Sequence, residues 1–119
     1  MSKYPELVTS IVEGIQEKKG RDIVLADLTM IKTAPCEFFV ICTCGSPQQA
    51  DAVTDAVEEF SAKRVGEKPS LIVGRNNAVW IAMDYGTVMV HIFVPEMREH
   101  YDLEHLWDDA VLRQIPNEE

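Results

Sequence analysis

The stretch "FFVICTCGSPQQADAVTDAVEEF", residues 38–60, decides the fold class. Residues 38–44 form an apolar run with no alternation, the pattern of a strand buried on both faces. Gly45 breaks that run. Ser46 is a good helix N-cap, Pro47 suits a first helical position, and Gln49 completes a capping box. Ala50, Val53, Val57 and Phe60 then recur at helical spacing and predict a buried stripe. Asp51, Asp55, Glu58 and Glu59 fall outside it and read as a solvated face. A buried strand that turns at Gly-Ser into an amphipathic helix is an α/β unit.

Working outward, residues 5–18 predict a first helix, with Pro5 at its start and Leu7, Val8, Ile11, Val12 and Ile15 on one stripe. Lys18 and Lys19 complement the dipole at its end, and Gly20 stops it. "DIVLADL", 22–28, is a second strand apolar on both faces, followed by a loop over 29–35. Beyond the central unit, "LIVG", 71–74, is a short strand, and "WIAMDYGTVMVHIF", 80–93, is two strands joined at Asp84-Tyr85-Gly86-Thr87. Pro95 ends this hairpin, and "EMREHYDLEHLW", 96–107, makes one helix or two short helical pieces. The result is one domain over residues 1–110, with 111–119 as a frayed tail. The expected architecture is α/β, a mixed sheet of about five strands with flanking helices.

Two hairpin registers are open. A two-residue turn at Tyr85-Gly86 sets Trp80 opposite His91. A three-residue loop with Gly86 in a left-handed bulge sets Val79 opposite His91, and is preferred because Tyr disfavours positive φ. In both, Asp84 sits at the turn and His91 five or more residues up the other strand. At ~3.3 Å per residue they are beyond hydrogen-bond reach and cannot act as an acid–base pair. Asp84 reads as a turn residue that caps nearby N–H groups.

Composition narrows the function. The chain has 119 residues, 11 Lys and Arg against 20 Asp and Glu, and a net charge of −9. Generic binding to nucleic acid needs a basic face, so direct sequence-specific binding to it is not expected. An acidic domain suits a basic protein partner. No apolar run approaches a membrane span, and "MSKYPELV" has no signal core or presequence character. The expected location is the cytoplasm, or an organelle matrix if a presequence has been trimmed. Three cysteines, Cys36, Cys42 and Cys44, argue against a disulfide framework and for ordinary half-buried thiols in a reducing compartment. Cys42 and Cys44 share a strand face, but a metal would need further ligands and His91 is the one plausible third, so no metal is expected.

The Gly45-Ser46 turn resembles the turn that opens the active site of nucleotidyltransferases, where a helix N-terminus holds phosphate. Magnesium-dependent transfer needs closely placed carboxylates. The strands that follow read "LIVG" and "VWIAMD", with Asp84 alone, and no phosphate-binding glycine motif is present. No catalytic residue and no cofactor are therefore assigned. The aromatic residues Trp80, Tyr85, Phe93, Tyr101 and Trp107 gather in the last third of the chain with Arg98, and residues of these types anchor protein interfaces. Phe93 reads as core.

Residues 80–107 closely resemble the ribosomal silencing factor, or Iojap-like, family. The pattern is Trp80, Asp84-x-Gly86, Val90-His91-x-Phe93 and Arg98-x-x-Tyr101-x-Leu103-Glu104-x-Leu106-Trp107. "DIVLADL", "FFVICTC" and Gly45-Ser46 before Gln49-Ala50 extend the likeness to about residues 6–110. Tyr85 and Thr87 depart from it, standing where acidic or aliphatic residues are frequent. The resemblance implies a nucleotidyltransferase-like fold without the catalytic carboxylates, commonly a homodimer. It implies a non-enzymatic translation regulator that binds the fourteenth protein of the large ribosomal subunit and blocks joining of the small subunit. A role as a large-subunit assembly adaptor is the alternative, and a nucleotide-binding enzyme a weaker one. The residues expected to meet the partner are Trp80, Tyr85, Met89 and His91 from the hairpin, with Arg98, Tyr101 and Glu104 from the last helix. Trp80 and Tyr101 are the expected anchors, while Arg98 or Glu104 could instead fasten the helix to the sheet.

Overall fold

The computed structural model describes residues 4–107 and 109–117, apart from the side chain of Glu104. The elements run α1 (Glu6–Glu17), β1 (Arg21–Asp27), β2 (Phe38–Thr43), α2 (Pro47–Val65), β3 (Leu71–Val73), β4 (Trp80–Asp84), β5 (Val88–Phe93), α3 (Pro95–Tyr101), a 3-10 turn (Leu103–His105) and β6 (Val111–Ile115). The strands form one sheet of order β3-β4-β5-β2-β1-β6. β2 and β5 are parallel, and the other neighbours are antiparallel. The sheet is mixed, as expected, because α2 carries the chain over before β5 runs alongside β2.

Among the described residues six strands are present where about five were expected. The sixth lies where a frayed tail was predicted: β6 pairs with β1 over Ile23–Asp27. Its residues are mostly exposed, so only Ile115 carries a burial signal that hydropathy could detect. Asn117 fixes the end of the strand by accepting the Asp22 N–H at 2.9 Å.

α1 and α2 pack on one face of the sheet. Leu7, Val8, Ile11, Val12 and Ile15 of α1 join Ala50, Val53 and Val57 of α2 over Ile23, Leu25, Val40, Ile81, Met83, Val90 and Ile92. The helices touch at Gly14, where a Cβ would come within 2.9 Å of the Val57 Cα. Phe60, assigned to the α2 stripe, is only half-buried, with the Arg64 guanidinium 5.3 Å from its ring centre. Ser46 caps α2 by accepting the Gln49 N–H at 3.1 Å. Gln49 does not close the predicted capping box on Ser46. Its Oε1 accepts from the Gly45 N–H at 2.6 Å, and its Nε2 donates to the Lys18 and Lys19 carbonyls at 3.0 Å each. One amide thus ties the strand–helix turn to the C-terminus of α1.

The opposite face carries a smaller core of Ala26, Leu28, Phe39, Ile41 and Phe93. Residues from the 28–36 loop, α3, the 3-10 turn and Ala110 cover it, including Ile31, Met97, Leu103 and Trp107. The predicted "two short helical pieces" over 96–107 are α3 and the 3-10 turn, separated by Asp102 at φ 47°.

Candidate functional site

The hairpin takes neither expected register. Trp80 pairs with Phe93, Ala82 with His91 and Asp84 with Met89, and the Tyr85 N–H donates to the Val88 carbonyl at 2.9 Å. The connection is therefore Gly86-Thr87, with Gly86 supplying the positive φ of 88°. Tyr85 keeps extended pairing and avoids the strain that argued against a two-residue loop at Tyr85-Gly86. Asp84 accepts the Gly86 N–H at 2.8 Å, the turn role expected of it.

This register decides which side chains share the face beneath α3. One cross-strand row runs Val73, Ala82, His91, Ile41, Val24. The next runs Leu71, Asp84, Met89, Phe39, Ala26. Trp80 and Phe93 begin a third. Loops and α3 cover the β1–β2 side of this face. Toward β3 the cover ends, leaving Trp80, Ala82 and Met89 half-buried and Leu71 and Val73 exposed.

Trp80 organises this surface. Its ring stacks on Phe93 with centroids 5.1 Å apart, and Tyr101 of α3 lies 4.5 Å away on a tilted plane. Its indole N–H donates to His91 Nδ1 at 3.1 Å. That bond places the imidazole proton on Nε2, which is buried and has no partner among the described residues. The His91 ring meets Phe39 edge-on at 4.8 Å. Burial pushes the His91 pKa down to about 4, because a charged imidazole would be stripped of water there.

The structure gathers Trp80, Met89, His91 and Tyr101 and separates the others. His91 is 4% exposed and so supports Trp80 from below the surface. Tyr85 is on the opposite face, in the α1–α2 core, with its hydroxyl 2.8 Å from that of Ser61. Its assignment to the surface is corrected: strand alternation turns Tyr85 away from Asp84. Arg98 points to the far end of the sheet, donating to the Asp22 carbonyl and, at 2.9 Å, to the Thr43 hydroxyl. It fastens α3 to β1 and β2, the structural alternative foreseen for it. The Glu104 side chain lies outside the described part of the structure. Tyr101, at 43% exposure, remains an outward-facing aromatic beside Trp80.

Leu71 and Val73 belong to this surface and were not foreseen. A three-residue apolar run shows no period, so its exposed members cannot be told from buried ones.

The remaining chemical candidates take structural positions. The Gly45 and Gln49 N–H groups at the start of α2 bond within the chain. Cys42 and Cys44 are fully buried, not half-buried, beneath α1 and α2. A hydrogen bond to Cys44, together with burial, pushes the Cys42 thiol up, while the same bond lowers Cys44. Among the described residues no group of three or more His, Cys, Asp or Glu is placed to hold a metal ion, and no helix is long and apolar enough to cross a membrane.

Comparison with known proteins bears on the family and the fold. The family described as "Ribosomal silencing factor during starvation" matches residues 1–119. Ribosomal silencing factor RsfS of Haemophilus influenzae is 36% identical over 101 residues, 85% of this chain and 97% of that protein. The protein of the same name from Halalkalibacterium halodurans is 31% identical over 105 residues, 88% of each. A crystal structure from Chromobacterium violaceum superposes with a TM-score of 0.80 at 28% identity, covering 87% of this chain and 84% of its own. The chain belongs to the ribosomal silencing factor family.

Proposed function

We propose that this protein represses translation by docking on the large ribosomal subunit and blocking entry of the small subunit. The docking surface is the bare part of the sheet around Trp80, Tyr101 and Met89, and the partner is the fourteenth large-subunit protein. The observation that carries this reading is the aromatic pair: Trp80 and Tyr101, 4.5 Å apart, stand at the edge of the cover on an otherwise acidic domain. Trp80 is fixed before binding by Phe93 and His91, so little of its side-chain entropy is lost on docking. Paired aromatics with exposed apolar neighbours have the composition of an interface centre.

The mechanism is steric. A domain with principal extents of 35 × 33 × 29 Å, seated where the two subunits meet, occupies space the small subunit requires. Such a mechanism needs affinity, not turnover. The net charge of −9 draws the domain to basic ribosomal protein and repels it from bare RNA. The proposed site of action is the cytoplasm. The proposed homodimer leaves the Trp80 surface free.

Titration of the purified fourteenth large-subunit protein with wild type and Trp80→Ala tests the assignment. The substitution is expected to weaken binding by more than ~1 kcal/mol, or at least about fivefold. Unchanged affinity in a folded variant would remove Trp80 from the interface.

A further inference from the structure

β3 ends the sheet. It pairs with β4 on one side, and its other edge has no strand beside it among the described residues. Open edges are usually blunted by a very short strand, charge, proline or a bulge. β3 is short, with three residues, but Leu71-Ile72-Val73 carries no charge, proline or bulge, and Leu71 and Val73 are 57% and 49% exposed. Both side chains continue the rows that lead to Met89 and His91, on the face that carries Trp80.

The edge is also held in place. Gly74, at φ 90°, packs so closely that a Cβ would lie 2.1 Å from the Trp80 carbonyl oxygen. Arg75, the next residue, is tied to α2 by Asp51 at 2.6 Å, Asp55 at 2.8 Å and Glu58 at 3.4 Å. Carboxylates dominate the surroundings. Asp51, Asp55 and Glu58 face the single charge of Arg75, Asp84 pairs with Leu71, and Glu67 precedes the strand beside Lys68. The fields of Glu58 and Glu67 both reach Tyr85, next to Asp84.

We infer that β3 is an acceptor edge, where a basic, extended segment of the protein partner adds as a seventh strand. Its backbone would pair along Leu71–Val73. Its apolar side chains would cover Leu71 and Val73, and its Lys or Arg side chains would meet the surrounding carboxylates. A second copy of this chain fits less well, because it brings the same excess of carboxylates to the contact. The inference rests on the docking reading and specifies how the partner is held.

Backbone pairing is read by hydrogen exchange. Purified large ribosomal subunits are added to the wild-type protein, and exchange is followed by mass spectrometry over the peptide containing 70–74. The expected result is at least tenfold slower exchange at the outward-facing amides of Leu71–Val73. The doubly charged variant Leu71→Lys, Val73→Lys, at exposed positions, is expected to bind at least tenfold more weakly with an unchanged thermal midpoint. If subunits bind and protect the Trp80 region while 70–74 exchanges at the free rate, the inference is overturned and the docking reading stands. Protection that follows protein concentration without subunits would assign the edge to self-pairing and also overturn it. Failure of the wild-type protein to co-sediment with subunits would overturn the docking reading and this inference together. Should the double variant not fold, exchange in the wild type decides.

Discussion

His91 shows how one buried side chain links packing, titration and the surface. It was expected to lie in the surface patch, but the hairpin register carries it beneath Trp80, where its Nδ1 accepts the indole N–H. Its pKa of about 4 in the fold is below the ordinary value of 6.5, so the unfolded chain takes up this proton first as the pH falls. The His91 contribution therefore leaves stability untouched above pH 6.5, erodes it through the window from 6.5 to 4, and is fully lost below 4. The loss should approach about 3 kcal/mol. Denaturant unfolding at a series of pH values should show this slope in wild type and a flatter one in His91→Gln, which keeps an acceptor for Trp80. Equal slopes would mean that His91 is not the titrating group. Chain chemistry alone located His91 and Trp80 in one hairpin. Their bond depends on a register two residues from one expected pairing and three from the other, a choice that turn propensities did not settle.

At the scale of elements, most of the architecture was legible where local chemistry and burial agree. α1, β1, β2, α2 and the hairpin strands each carry continuous or periodic apolar residues with caps or breakers at their ends. β6 was not legible, because an edge strand exposed along most of its length has the composition of a tail. The Gln49 amide was misassigned by one residue, since its reach to Gly45 and to the end of α1 depends on the packing of two helices distant in sequence. That packing depends on Gly14, where α1 lies against the backbone of α2. Gly14→Val should separate the helices and lower stability by ~1–3 kcal/mol, measured as a fall in the denaturant midpoint at constant slope. A midpoint matching wild type would show that the helices part without cost. For the site, the sequence revealed the Trp80–Tyr101 pair, but Tyr85 and Arg98 required three-dimensional placement. Strand alternation sends Tyr85 to the other core, and the length of α3 carries Arg98 to the end of β1.

Across the whole molecule, charge and shape divide the work. In the proposed complex, the excess of carboxylates would steer the approach to a basic partner, and the apolar sheet surface would hold the two together. Association with large subunits should accordingly slow as salt rises, while dissociation changes little, in stopped-flow measurements between low and physiological ionic strength. A salt-independent association rate would remove electrostatic steering from the account. The central claim is that the Trp80–Tyr101 surface occupies the joining face. Its most direct test is light scattering of purified small and large subunits as they associate, with wild type, Trp80→Ala or no protein added. The account predicts that wild type suppresses joining in proportion to its occupancy of large subunits and that folded Trp80→Ala needs at least about fivefold more protein for the same effect. Joining that proceeds undiminished on large subunits saturated with wild type would contradict it.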